Sequence, residues 1–128
     1  SGARMIAESG SAGQTAIEND EVLSKNKFIA ASAQKDALLE VKAGTSDIAV
    51  LDYIMARTMV SDATDYKDLM IVEGVELASE PEEYAIGFRL EDKELLAAVN
   101  KAIDELVAEG FMKNLAAKYD MSESLAFK

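Results

Sequence analysis

The sequence contains no cysteine, no histidine and no tryptophan. Without cysteine there are neither disulfides nor thiol chemistry, and the redox compartment stays open. Without histidine the commonest general base and metal ligand are missing, and no nucleophile–base pair can be assembled for hydrolysis. The expectation is therefore a protein with no catalytic residue, no metal and no cofactor. Long apolar runs are absent too: none approaches the roughly 18–20 residues that a membrane span requires, and Ser1-Gly2 does not begin a signal peptide. An export signal removed upstream is compatible with that start.

Basic residues are scarce. Lys and Arg number 13 against 24 Asp and Glu, for a formal net charge of −11. Nucleic acids and anionic membranes are polyanions that such a field repels, so neither is expected as a partner. What the chain does have is apolar content: 49% of its 128 residues are hydrophobic, enough for one compact core. No internal repeat and no low-complexity segment interrupts it.

Residues 4–8, Arg4-Met5-Ile6-Ala7-Glu8, read as a short strand bounded by Gly2 and Ser9-Gly10. A helix follows. Ser11 with Gln14 three residues later is a capping-box pattern, and Ala12, Ala16 and Ile17 give the helix a modest apolar face. Gly10 and Gly13 keep the turn free of Cβ atoms, so a ligand can approach backbone amides at a helix N-terminus, where an anion is favoured. The same turn also occurs as a plain connection, and both readings stand.

Phe28-Ile29-Ala30-Ala31 supplies a second strand, Ser32 is placed to cap the next helix, and Gly44 is placed to end it after Ala33, Ala37, Leu38 and Val41 repeat at helical spacing. Ile48-Ala49-Val50-Leu51 is a continuous apolar run, the pattern of a strand covered on both faces and hence central in a parallel sheet. Asp52 ends that run. It can cap the helix expected over residues 53–60, or it can face a ligand. Leu69-Met70-Ile71-Val72 reads as a fourth strand, and residues 83–89 alternate strictly, with Tyr84, Ile86 and Phe88 on one face and small residues on the other. Residues 92–109 carry the strongest amphipathic stripe: Leu95, Leu96, Val99, Ile103, Leu106 and Val107, with Asp92 as cap and Gly110 as stop. Phe111, Met112, Leu115, Ala116 and Tyr119 suggest a further turn or two of core, and residues 121–128 a loose tail.

Strands alternating with helices predict an α/β fold, mainly a parallel sheet with helices on both faces. In such sheets ligands sit at the carboxyl edge of the strands near a topological switch point. The turn at Gly10, Ser11, Ala12, Gly13 and Gln14 follows the first strand and Asp52 follows the third, so both lie on that edge. Free amides suit a carboxylate and Asp52 suits an ammonium, the two ends of an α-amino acid.

The run Asp47-Ile48-Ala49-Val50-Leu51-Asp52, preceded by Leu39-Glu40-Val41-Lys42-Ala43-Gly44, resembles the Leu-x-x-Gly-x-x-Asp-Ala-Val-x-x-Asp signature of bacterial extracellular solute-binding proteins that serve polar amino-acid ABC transporters. Gly10-Ser11-Ala12-Gly13 is similar to that family's glycine-Ser/Thr turn. Glu82-Glu83-Tyr84-Ala85-Ile86-Gly87-Phe88-Arg89 resembles its returning hinge strand, and residues 92–119 its closing helices. The resemblance implies a periplasmic-binding-protein type II lobe: residues 1–89 as the second, ligand-binding lobe with hinge strand, and residues 90–128 as helices that pack on a first lobe whose N-terminal segment this sequence lacks. It implies that the turn at Ser11, Ala12 and Gly13 holds an α-carboxylate and Asp52 an α-ammonium. It further implies delivery to the membrane subunits of an ABC transporter, and a periplasmic or extracellular location or a membrane-anchored lipoprotein form. Ala12 departs from the Ser or Thr of many members, leaving only its backbone amide. With half of the clamp, weak ligand binding at best is expected, and a homodimer or an exchange of lobes would cover the closing helices. The alternative is a receiver-like signalling domain with Asp52 as phospho-acceptor. It lacks the acidic pair after the first strand, where Glu8 is followed by Ser9-Gly10, and a Lys after a late strand.

Overall fold

The computed structural model describes residues 2–75, 77 and 83–126. They belong to two units, Ser1–Glu80 and Pro81–Lys128, and the first is built around its first strand. β1 (Arg4–Glu8) is flanked on both sides by parallel partners, β2 (Lys27–Ala31) and β3 (Ile48–Ala49), in the order β2-β1-β3. Successive side chains of a strand point to opposite faces, and β1 buries both. Met5 and Ala7 pack with Ile17 of helix α1 (Ala12–Asn19), supported by Leu23, Phe28 and Val50. Ile6 packs on the other face with Ala31 and with Ala37 of helix α2 (Gln34–Lys42), supported by Ile29, Val41 and Ala49. The unit is thus an α/β fold whose small parallel sheet carries a helix on each face. Full burial of a side chain the size of Met or Ile stabilises by about 1.5–3 kcal/mol, and Met5, Ile6 and Ile17 are the largest buried to that degree.

Three expectations change. The central strand is β1 and not residues 48–51: β3 is two residues long and lies at the sheet edge, where Ile48 is 42% exposed. Residues 69–72 form no strand, and Met70 is 81% exposed. Residues 83–89 form no strand either; Glu82, also assigned to it, lies outside the described residues. An apolar run supplies a strand only where a neighbour accepts its amides, and the described sheet ends at β2 and β3.

The amino edge of the sheet is fastened by Arg4 and Asp47. The Asp47 carboxylate accepts from the Arg4 backbone amide at 2.7 Å and from the guanidinium at 3.0 and 2.7 Å, while Arg4 also donates to the Gly44 carbonyl at 2.9 Å. These bonds hold the Asp47 carboxyl at about 2, chiefly through the guanidinium and then the backbone amide. Gly44 itself ends α2 at φ +75°, a left-handed conformation that glycine adopts without strain.

In the second unit, helix α4 (Lys93–Ala108) packs on α5 (Phe111–Lys118), joined by Gly110 at φ +75°. Neither helix has a buried residue. Phe111, Leu115 and Tyr119, expected in a core, are exposed. Two helices share one line of contact, which leaves Val99, Ile103, Leu106 and Val107 half-buried and Leu95 and Leu96 exposed. Asp92 occupies the N-cap position without a side-chain cap bond; its carboxylate takes the Arg89 guanidinium at 2.7 Å instead. Residues 122–124 form one 3₁₀ turn in the expected tail. Among the described residues no helix is long and apolar enough to cross a membrane.

Candidate functional site

From β1 the chain steps outward through α1 to β2, then returns across β1 through α2 to β3. The direction reverses between β1 and β3, and in parallel sheets the carboxyl ends of the strands beside such a reversal are where ligands bind. One loop carries Ser9, Gly10 and Ser11 into α1; the other carries Val50, Leu51 and Asp52 into α3 (Tyr53–Met59).

The first loop is organised by its cap. Ser11 Oγ donates to the Glu8 carbonyl at 2.7 Å and accepts from the Gln14 amide at 3.3 Å. Gln14 Oε1 accepts from the Gly10 amide at 2.8 Å, and Gln14 Nε2 donates to Glu18 at 2.7 Å. The capping box forms, with its return bond to Gly10, one residue earlier than the usual cap amide. Gly10 has φ +74°, which a side chain would strain. Gly10, Ser11 and Gln14 therefore shape the turn. The amides of Ala12 and Gly13, at the start of α1, meet no acceptor among the described residues, and they lie at the positive end of the helix dipole.

Gly13 also brings the two loops together. A Cβ built on it would stand 2.6 Å from the Val50 carbonyl oxygen, closer than real Cβ atoms come. Only glycine allows the first turn of α1 to approach the β3–α3 loop this closely, two residues before Asp52.

Asp52 caps α3: its Oδ1 accepts from the Met55 amide at 2.7 Å. Its own amide donates to Gln34 Oε1 at 2.9 Å, which ties the β2–α2 loop to the same edge. Gln34 escaped the sequence reading. Ser32 was expected to cap α2, whereas the cap position falls on Ala33 without a side-chain bond and Gln34 opens the helix. The signal available was its place at the start of the helix that follows the second strand, on the shared edge. The Asp52 carboxylate thus brings a negative charge to the carboxyl edge of the sheet at the start of α3.

All six residues singled out in the sequence are thus at the same sheet edge: Gly10 and Ser11 in the β1–α1 turn, Ala12, Gly13 and Gln14 in the first turn of α1, and Asp52 at the cap of α3. A scan of protein-family models finds no match to the chain, and searches of curated proteins and of solved structures find none either.

Proposed function

We propose that the carboxyl edge between β1 and β3 binds the zwitterion of a polar α-amino acid, and that the chain is the second lobe, of periplasmic-binding-protein type II form, of an exported receptor for an ABC transporter. The Ala12 and Gly13 amides take the α-carboxylate, and Asp52 takes the α-ammonium while it caps α3. Affinity comes from two charges held at fixed separation, with no chemistry on the ligand. The observation that carries this reading is the close approach of Gly13 to Val50, which joins an amide-rich helix start to the loop ending in a carboxylate. The sequence resemblance supports the class, the location outside the cytoplasm and the transporter subunits as partners.

The test is an NMR titration of the chain with the standard L-amino acids, alongside analogues that lack either the amino or the carboxyl group. Millimolar amino acid should shift the amides of Ala12, Gly13 and Met55, and both truncated analogues should bind at least tenfold more weakly. Asp52→Asn keeps a competent helix cap and removes the charge, so it should lose the zwitterion and keep its fold. Unchanged Ala12 and Gly13 resonances with every amino acid would sink the proposal.

A further inference from the structure

Residues 83–89, Glu83-Tyr84-Ala85-Ile86-Gly87-Phe88-Arg89, lead into α4 without joining a sheet. Among the described residues, Ala85 to Phe88 make no backbone hydrogen bond. Their amides and carbonyls resemble the open edge of a strand, a ready template for another extended segment. The residue types alternate as in a strand, and Tyr84 and Ile86 are largely exposed. Ile86, Phe88 and Leu90 line, with Arg89, Lys93 and Leu96, an open groove of about 340 Å³ beside the start of α4.

The order of residues in this segment selects the occupant. Laid antiparallel on a copy of itself about Ile86, the segment pairs Glu83 with Arg89, Tyr84 with Phe88, Ala85 with Gly87 and Ile86 with Ile86. Opposite charges meet, aromatics meet and small residues meet. The charged and aromatic pairs are favourable across an antiparallel ribbon, whereas like charges placed opposite are unfavourable, and the Ala85–Gly87 pair simply lets the strands approach. A two-fold axis through Ile86 repeats every pair, as a closed dimer requires. We propose that residues 83–89 form an intermolecular antiparallel strand pair that joins two copies of this chain.

Tyr84, Ile86 and Phe88 then line one face of the ribbon. A two-stranded ribbon is marginal alone, and here α4 lies against it: Leu96 already borders the groove, and Leu95, 54% exposed, extends the apolar surface. Arg89, the last residue of the segment, is paired with Asp92 through Nε at 2.7 Å and Nη2 at 3.2 Å. That exposed pair is weak enough to share its guanidinium with Glu83 of the second copy. Repulsion between two chains of net charge −11 is screened beyond about 8 Å at physiological salt, while the local pairs lie well inside that distance.

The experiment is sedimentation equilibrium of the wild type, E83R, R89E and the E83R/R89E double variant at physiological salt. The wild type and the double variant should dimerise, and each single variant should dimerise at least tenfold more weakly because it places like charges opposite. An equimolar mixture of E83R and R89E should recover the dimer as a heterodimer, since one chain then carries a positive charge at both positions and the other a negative charge at both. That recovery also shows that the weak singles are folded. A wild type that stays monomeric at millimolar concentration overturns the proposal, and so do exchange-protected amides at Ala85 to Phe88 in a monomer, which would place the segment on an edge of its own sheet. Single variants that associate as the wild type does, or a mixture that fails to recover, overturn it as well.

Discussion

β1 and α4 are the most regular apolar patterns in their units, and they end in opposite environments. Three consecutive residues of β1, Met5, Ile6 and Ala7, are exposed by 1% or less, while sixteen residues of α4 bury none. The stripe on α4 is longer than the apolar run of β1, so pattern strength does not explain the contrast. Coverage does: two crossover helices and two strands close around β1, whereas α4 has α5 as its neighbour in the second unit. Periodicity states which face of an element is apolar. It says nothing of how many other elements arrive to cover that face.

Substitutions widen or erase this contrast in a definite order. The largest effect is expected for Ile17→Ala, which empties the α1 side of the core and should destabilise the first unit by about 2–5 kcal/mol, read as lost hydrogen-exchange protection of the β1 amides. Gly13→Ala comes next. Its methyl meets the Val50 carbonyl, a backbone atom with little room to move, and overpacking of this kind costs about 1–3 kcal/mol; urea denaturation should show it.

Asp47→Asn should be milder and pH-dependent. The folded carboxyl titrates at about 2, below the roughly 4 of an unfolded chain. The Arg4–Asp47 contribution is therefore complete above pH ~4 and is lost as pH falls towards 2. Melting curves recorded between those limits should fall less steeply in the variant, whose own melting temperature at pH 7 should be the lower one. At the small end, Leu95→Ala on exposed α4 should change stability by about 0.5 kcal/mol or less, measured at a protein concentration too low for association. A loss comparable to that of Ile17→Ala would mean that α4 is covered within its own chain after all.

Local signals in the sequence were the most legible. Ser11 and Gln14 make their capping box, Gly44 takes the left-handed turn after α2, and Asp52 caps α3. Each needs only three or four neighbouring residues to form. Longer-range features were harder to read. Residues 69–72 and 83–89 have strand patterns without strands, because strand pairing requires a partner edge that no local pattern supplies. Ser32 has the chemistry of a cap, yet the helix begins two residues later, where Gln34 reaches across to the Asp52 amide. That contact joins residues 18 apart and leaves no periodic trace.

Over residues 4–59 the sequence by itself determined the types of element and their alternation, and therefore a parallel sheet with helices on both faces, because hydrophobic period and helix caps are local properties of the chain. It also placed the turn of Gly10 to Gln14 and the carboxylate of Asp52 on one edge, since every strand of a parallel sheet ends on the same side. The tertiary structure decided that β1 lies between β2 and β3, and so put the reversal between the two loops that carry those residues. It decided too that Gly13 meets Val50 and that no residue of the apolar stripe of α4 is fully buried. Strand order, close approach and coverage are relations between distant segments, set by which surfaces meet when the chain closes on itself.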